Sequence, residues 1–142
     1  MQTTFHNLLQ EMGELLDLNL VPDTRSACTL LYQNQLYLQM ETDAYEKYLL
    51  AACRICELPA GKFREDILLK ALQFNNLYPL IATLSYSSRY NALTLSSSLL
   101  LENLTGKELY RRYVEWMRIA SSWKKAIESG RSAPEPLQQI NF

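Results

Sequence analysis

Residues Lys47 to Leu58 read KYLLAACRICEL, and the choice between strand and helix for this stretch decides the architecture. Ala, Leu and Arg are good helix formers, so a helix competes. The surroundings favour a strand. Thr42-Asp43-Ala44 makes a turn before it, Pro59-Ala60-Gly61 ends it, and both of its faces are rather apolar. Upstream, Ala27 to Tyr32 (ACTLLY) and Leu36 to Glu41 (LYLQME) flank Gln33-Asn34-Gln35, where Asn34 suits the positive φ of a tight hairpin. The second of these strands alternates, with Leu36, Leu38 and Met40 on one side and Tyr37, Gln39 and Glu41 on the other.

Outward from this three-strand block lie helical patterns. Phe5, Leu8, Leu9, Met12, Leu15 and Leu16 recur at helical spacing between about Thr4 and Asp17, within an arc of roughly 120°. Pro22-Asp23 then opens a turn. On the other side, Lys62 to Asn76 predicts a second helix in which Phe63, Ile67, Leu68, Leu69, Ala71, Leu72 and Phe74 spread over roughly 240°. Only Lys62, Asp66, Lys70 and Gln73 form a thin polar strip, with Arg64 and Glu65 interrupting the apolar arc near its start. Such a helix must bury itself twice: once on its own sheet, once on a further element or a second subunit. Phe63, Ile67, Ala71 and Phe74 are assigned to the sheet.

After Pro79, Ile81 to Ser88 and Ala92 to Leu101 predict two more strands joined at Arg89-Tyr90-Asn91. In the latter, Leu93, Leu95, Leu99 and Leu101 share a face that Ser97 interrupts. Thr94, Ser96 and Ser98 share the other with Leu100, and serine makes that face wet or partner-facing. Thr105-Gly106-Lys107-Glu108 has capping-box spacing, in which hydroxyl and carboxylate each satisfy an orphan backbone donor. A narrow stripe follows, Leu109, Tyr113, Trp116, Ala120, Trp123 and Ile127, with Gly130 as the stop. The fold class is therefore α+β, in the order α-β-β-β-α-β-β-α, an antiparallel sheet packed with helices. One domain is expected over 1–130, followed by a loosely ordered, flexible tail at 131–142 that carries Pro134 and Pro136.

The composition excludes several functions. Net charge is -1 over 142 residues, without an electrostatic footprint for nucleic acid. Arg111-Arg112 and Lys124-Lys125 read as a solvated helix face. No run reaches the roughly 18 apolar residues that span a bilayer. Met1 to Leu9 lacks a signal-peptide pattern, so the expected location is cytoplasmic.

Reactive chemistry is sparse. Three cysteines, Cys28, Cys53 and Cys56, sit in apolar runs and fit reduced buried thiols. Cys53-Arg54-Ile55-Cys56 has redox spacing, but a strand would put the two thiols on opposite faces. Zinc would need Cys28 and His6 as further ligands. The single histidine, His6, lies on the polar side of the first helix. Glu65-Asp66, Glu11/Glu14 and Glu41/Asp43 read as solvated carboxylates. Tyrosines on or beside strands (Tyr32, Tyr37, Tyr45, Tyr48, Tyr86) suit protein recognition better than base stacking, which needs a basic surface. No catalytic residue, metal or cofactor is assigned.

Three stretches carry a family likeness: Phe5-x-x-Leu8-Leu9-x-x-Met12-Gly13-x-x-Leu16, Pro22-Asp23 leading to Ala27-Cys28, and Leu58-Pro59 leading into Phe63-Arg64-x-x-Ile67-x-x-Lys70-Ala71-Leu72. With the capped third helix bearing Tyr113 and Trp123, they resemble the class I type III secretion chaperones, the Tir-chaperone-like family, over nearly all of the chain up to Gly130. Within that family the likeness is to chlamydial chaperones of a secreted gatekeeper. A pI near 5.8 departs from the strongly acidic character of many members.

The resemblance implies a non-enzymatic protein that dimerises through its second helix and a nearby strand. It implies binding of the non-globular N-terminal segment of a secreted effector or gatekeeper, keeping that client soluble and export-competent, without ATP hydrolysis. Leu68, Leu69, Leu72, Leu77 and Tyr78 are the expected dimer interface. Leu8, Met12, Leu15, Tyr37, Tyr48 and Leu100 are the expected client surface. The alternative is an adaptor of the same fold that forms a heterodimer with a related chaperone and regulates secretion.

Overall fold

A computed structural model describes residues 3–135. The elements run α1 (Thr4–Leu16), β1 (Ala27–Tyr32), β2 (Leu36–Thr42), β3 (Tyr48–Glu57), α2 (Lys62–Leu77), β4 (Thr83–Ser87), β5 (Ala92–Leu100) and α3 (Gly106–Glu128). The expected order holds, and Lys47 to Leu58 is a strand rather than a helix. The five strands form one antiparallel sheet in the order β1-β2-β3-β5-β4. The β1–β2 turn is left-handed at Gln33 (φ 51°) as well as at Asn34 (φ 57°).

The helices cover one face of the sheet, and alternation decides which side chains they meet. Leu36, Leu38, Met40, Leu49, Ala51 and Cys53 point inward and are buried, while their sequence neighbours Tyr37, Gln39, Leu50 and Ala52 stay exposed. From α3 the whole expected stripe is buried, together with Met117 and Ala126. Trp123 meets Phe74 of α2 edge-on at 6.1 Å, tying two helices together over the sheet.

Ser97, which breaks the apolar face of β5, has a polar task. Its Oγ donates to the Ile81 carbonyl at 3.2 Å, and Trp116 Nε1 donates to the same oxygen at 3.2 Å. A carbonyl turned inward before β4 is thus paired rather than left unsatisfied. Asn91 is a second hub: its Nδ2 donates to Leu58 O at 2.8 Å, and its Oδ1 accepts from Tyr86 Oη at 2.6 Å and Arg64 Nη1 at 3.1 Å.

Two glycines are demanded by close approach. A Cβ on Gly13 would run into the Leu18 carbonyl, where the chain folds back over the end of α1. A Cβ on Gly106 would collide with Glu11 Cβ and lie 3.2 Å from Met12 N. That contact brings the Glu11 carboxylate to the start of α3, where Oε2 accepts from Gly106 N at 2.9 Å. Only half of the expected capping box is seen: Thr105 Oγ1 accepts from Glu108 N at 3.1 Å, while the Glu108 carboxylate lies 3.8 Å from Arg111. Glu11, distant in sequence, supplies the carboxylate at this terminus.

The expectation for Cys53 and Cys56 is corrected by a bulge. Arg54 pairs with Thr94 and Cys56 with Leu93, so Ile55 is an extra residue in β3. The alternation slips there: Cys53 and Ile55 are buried, and Cys56 is partly buried against the same core. Both thiols therefore turn to the helix side, near Lys124. Beyond α3, Arg131 N donates to Ala126 O at 2.8 Å and Ala133 packs against the core. The remainder of the expected tail, 136–142, lies outside the described residues.

Candidate functional site

Among the described residues, apolar side chains stay uncovered on α2, on the open face of the sheet and at the end of α1. The first surface is that of α2. Its sheet side is Ile67, Ala71 and Phe74, all buried, with Phe63 partly buried, as the arc of apolar residues predicts. On the side away from the sheet, Leu69 is 57% exposed, Leu72 65% and Leu77 50%. Leu68 lies between them in character, half-buried against the core. Tyr78 is a correction: it is 4% exposed and meets the Phe74 ring at 5.0 Å with a tilt of 40°, so it packs this chain's own core. Leu80, which follows Pro79 beyond the end of α2, is 89% exposed as well and carried no periodic signal in the sequence.

The second surface is the open face of the sheet. Tyr48 stands opposite Leu100 in the β3–β5 ladder, and Leu50, two residues along, lies on the same face. Leu31 stands opposite Tyr37 in the β1–β2 ladder. These two apolar groups lie towards opposite ends of the face: at 3.3 Å per residue the level of Tyr37 is about 13 Å along the strands from Leu50 and about 20 Å from Tyr48. At the Tyr37 end is a shallow basin of mixed character, lined by Tyr37 itself with Thr29, Gln39, Ala52, Arg54 and Tyr90 among others. The Arg54 guanidinium stacks over the Tyr90 ring at 3.3 Å.

Tyr37, Tyr48 and Leu100, the residues expected at the client surface, are exposed on one face of the sheet, with Tyr37 towards the other end from Tyr48 and Leu100. Leu15 is exposed too, but at the far end of α1, near Leu18 and Val21. Leu8 and Met12 are corrections. Both are buried where α1 meets the rest of the core, because the inward stripe of α1 is Phe5, Leu8, Leu9 and Met12. Leu31 and Leu50 were missed, although strict alternation in β1 and β3 marks them as outward.

The sheet's two edges differ. At β4, the Asn75 carboxamide occupies the outer side of Leu84: Nδ2 donates to Leu84 O and Oδ1 accepts from Leu84 N, each at 2.8 Å. At β1, the described residues close the first position alone, with Asp23 N donating to Ala27 O at 2.8 Å and Asp23 Oδ1 accepting from Ala27 N at 3.0 Å. Backbone groups point the same way at alternate residues, so Thr29 and Leu31 direct theirs to that same outer side.

Reactive groups do not assemble. Among the described residues no cluster of three or more His, Cys, Asp or Glu could hold a metal. Burial pushes all three thiols up, Cys53 to about 11, the reverse of what a nucleophilic cysteine needs. Lys124 opposes the shift at Cys53 and Cys56 without cancelling it. No helix among the described residues is long and apolar enough to cross a membrane.

A sequence model of the Tir chaperone protein (CesT) family matches residues 7–124. The chain belongs to that family. It is a family of type III secretion chaperones, not of enzymes. No curated protein matches this Tir chaperone family member significantly by sequence. Among solved structures, its fold is similar to a chain of the HopA1–SchA chaperone–effector complex, with a TM-score of 0.71 at 20% identity over 87% of this chain and 94% of that one. A chain of the ExsC–ExsE complex gives 0.73 at 19% identity, over 88% and 96%. The Yersinia pestis type III secretion chaperone SycH, in complex with a fragment of YscM2, gives 0.65 at 20% identity, over 82% and 97%.

Proposed function

We propose that this chaperone acts in the cytoplasm as a dimer built on α2, holding the non-globular N-terminal segment of a secreted protein along the open face and β1 edge of its sheet. The observation that carries this reading is the apolar surface left uncovered on α2, at Leu69, Leu72 and Leu77, and on the sheet face, at Leu31, Tyr37, Tyr48 and Leu100. A second copy of the chain accounts for the first and the client for the second. The HopA1–SchA chaperone–effector complex, on the same fold, supports an effector as client. The likeness to chaperones of a gatekeeper makes such a protein the other candidate client.

The mechanism follows from entropy. Ordering an unfolded segment offsets much of its contact energy, so binding needs a long path with separated anchors. A client strand added beside Thr29 and Leu31 gains backbone hydrogen bonds, and its apolar side chains reach the two ends of the face. Co-expression with candidate secreted proteins, followed by light-scattering mass measurement, tests the reading. A homodimer carrying one client segment is expected, with Tyr37→Glu or Leu100→Glu cutting client recovery about tenfold while the dimer persists. A chain that folds only with a related chaperone would mean a heterodimer. A soluble monomer that retains no client would overturn the proposal.

A further inference from the structure

The outer ridge of α3 carries a line of cations that neither the fold nor the proposed interfaces use. Lys107, Arg111, Arg118 and Lys125 are all exposed. At about 100° per residue they fall within an arc of about 40°, and at about 1.5 Å per residue they extend over about 27 Å. The last three repeat every seven residues, with exposed Val114 lying between Arg111 and Arg118 on the same line. Among the described residues one weak ion pair touches the ridge, Arg111 to Glu108 at 3.8 Å with both side chains open to water. Lys124, by contrast, pairs with Glu128 at 3.0 Å and lies off the ridge.

The carboxylates beside the ridge select the partner. Glu108 and Glu115 flank it on one side and Glu128 on the other. A flat anionic membrane or a broad polyphosphate duplex laid on the ridge would meet these acids as well as the cations. A narrow line of acids on a single helix would meet only the cations. Seven-residue spacing is the repeat at which one helix follows another, and Val114 adds one apolar contact to a pairing that rests on charge. Complementary charge at this spacing sets register and recognition more than raw affinity.

We propose that the Lys107–Arg111–Arg118–Lys125 ridge docks an acidic α-helix of a partner protein, at a surface separate from α2 and from the open sheet face. The probe is a labelled designed helix of four heptads with glutamates in one seven-residue-spaced line and leucine between them. Its control has the same composition with the glutamates scattered around the helix. Fluorescence anisotropy with the full chain is expected to show the ordered peptide binding at least tenfold tighter than the scattered one, more weakly as salt rises. R111E/R118E is expected to abolish that preference, whereas R25E/R89E, equal in charge change, keeps it; unchanged circular dichroism melts confirm that both fold.

Equal binding of the two peptides, or equal loss in both variants, would reduce the ridge to net charge and overturn the proposal. Tighter binding to phosphatidylserine vesicles or to a DNA duplex than to the ordered peptide would assign it to lipid or nucleic acid instead. Salt-dependent self-association lost in R111E/R118E would assign it to a second copy, also against the proposal.

Discussion

Asn75 of α2 stands in for a sixth strand beside Leu84 of β4. Its carboxamide donates to the Leu84 carbonyl and accepts from the Leu84 amide, both at 2.8 Å, reproducing the two bonds of a strand neighbour. An edge strand with free backbone groups invites pairing with other chains. A helix side chain closes this edge at Leu84, while β1 stays open beside Thr29 and Leu31.

Asn75→Ala is expected to free that edge. Two partly buried backbone groups lose their partner, at a cost of about 1–3 kcal/mol. Urea unfolding reads the loss, and amide exchange at Leu84 should accelerate more than at Leu95 on the neighbouring strand. Unchanged protection at Leu84 would show that the carboxamide does not close the edge.

The Glu11–Gly106 contact predicts two graded effects. Gly106→Ala pushes a methyl into α1 and should cost about 1–3 kcal/mol by overpacking. Glu11→Ala leaves the α3 terminus short of one acceptor and should cost about 1 kcal/mol. Because both changes act at one contact, the double variant should cost less than their sum, a coupling that thermal melts of all four proteins would measure.

On α2, Leu69→Asp or Leu72→Asp should leave the monomer fold intact, since both side chains are exposed. Dimerisation is expected to fail, giving monomer or aggregate in light scattering. A dimer of undiminished mass would move the interface elsewhere.

Cys53 ties stability to alkaline pH. Burial raises its thiol to about 11, against 9.0 for an ordinary cysteine. Below pH 9 both folded and unfolded chains keep this proton, and its full contribution is present. Between pH 9 and 11 the unfolded chain ionises while the folded one does not, so stability falls as pH rises, by on the order of 2 kcal/mol. Chemical denaturation from pH 7 to pH 11 should show the decline, and Cys53→Ala should make it shallower, leaving the part that belongs to Cys28 and Cys56. An identical slope in the variant would place the effect on another group.

Element order was legible because its signals are local. Leu36, Leu38 and Met40 alternate within a few residues, and Leu109 through Ile127 repeat every turn of a helix, so each pattern declares its own inward face. The two-sided apolar arc of α2 was legible for the same reason, and it located Leu69 and Leu72 correctly on the uncovered side. Burial of Leu8, Met12 and Tyr78 shows the limit of that logic: an apolar residue reads alike whether it packs a core or awaits a partner.

The chain's own periodicities determined an α+β fold with surplus apolar surface on its second helix and no assembled reactive centre among the described residues. Tertiary structure alone decided that Asn75 closes one sheet edge, that Glu11 caps a helix beginning at Gly106, and that a bulge at Ile55 turns Cys56 inward. Each of these depends on where a backbone amide or carbonyl lacking a local partner comes to rest. Residues far apart in sequence meet there only after the core has packed.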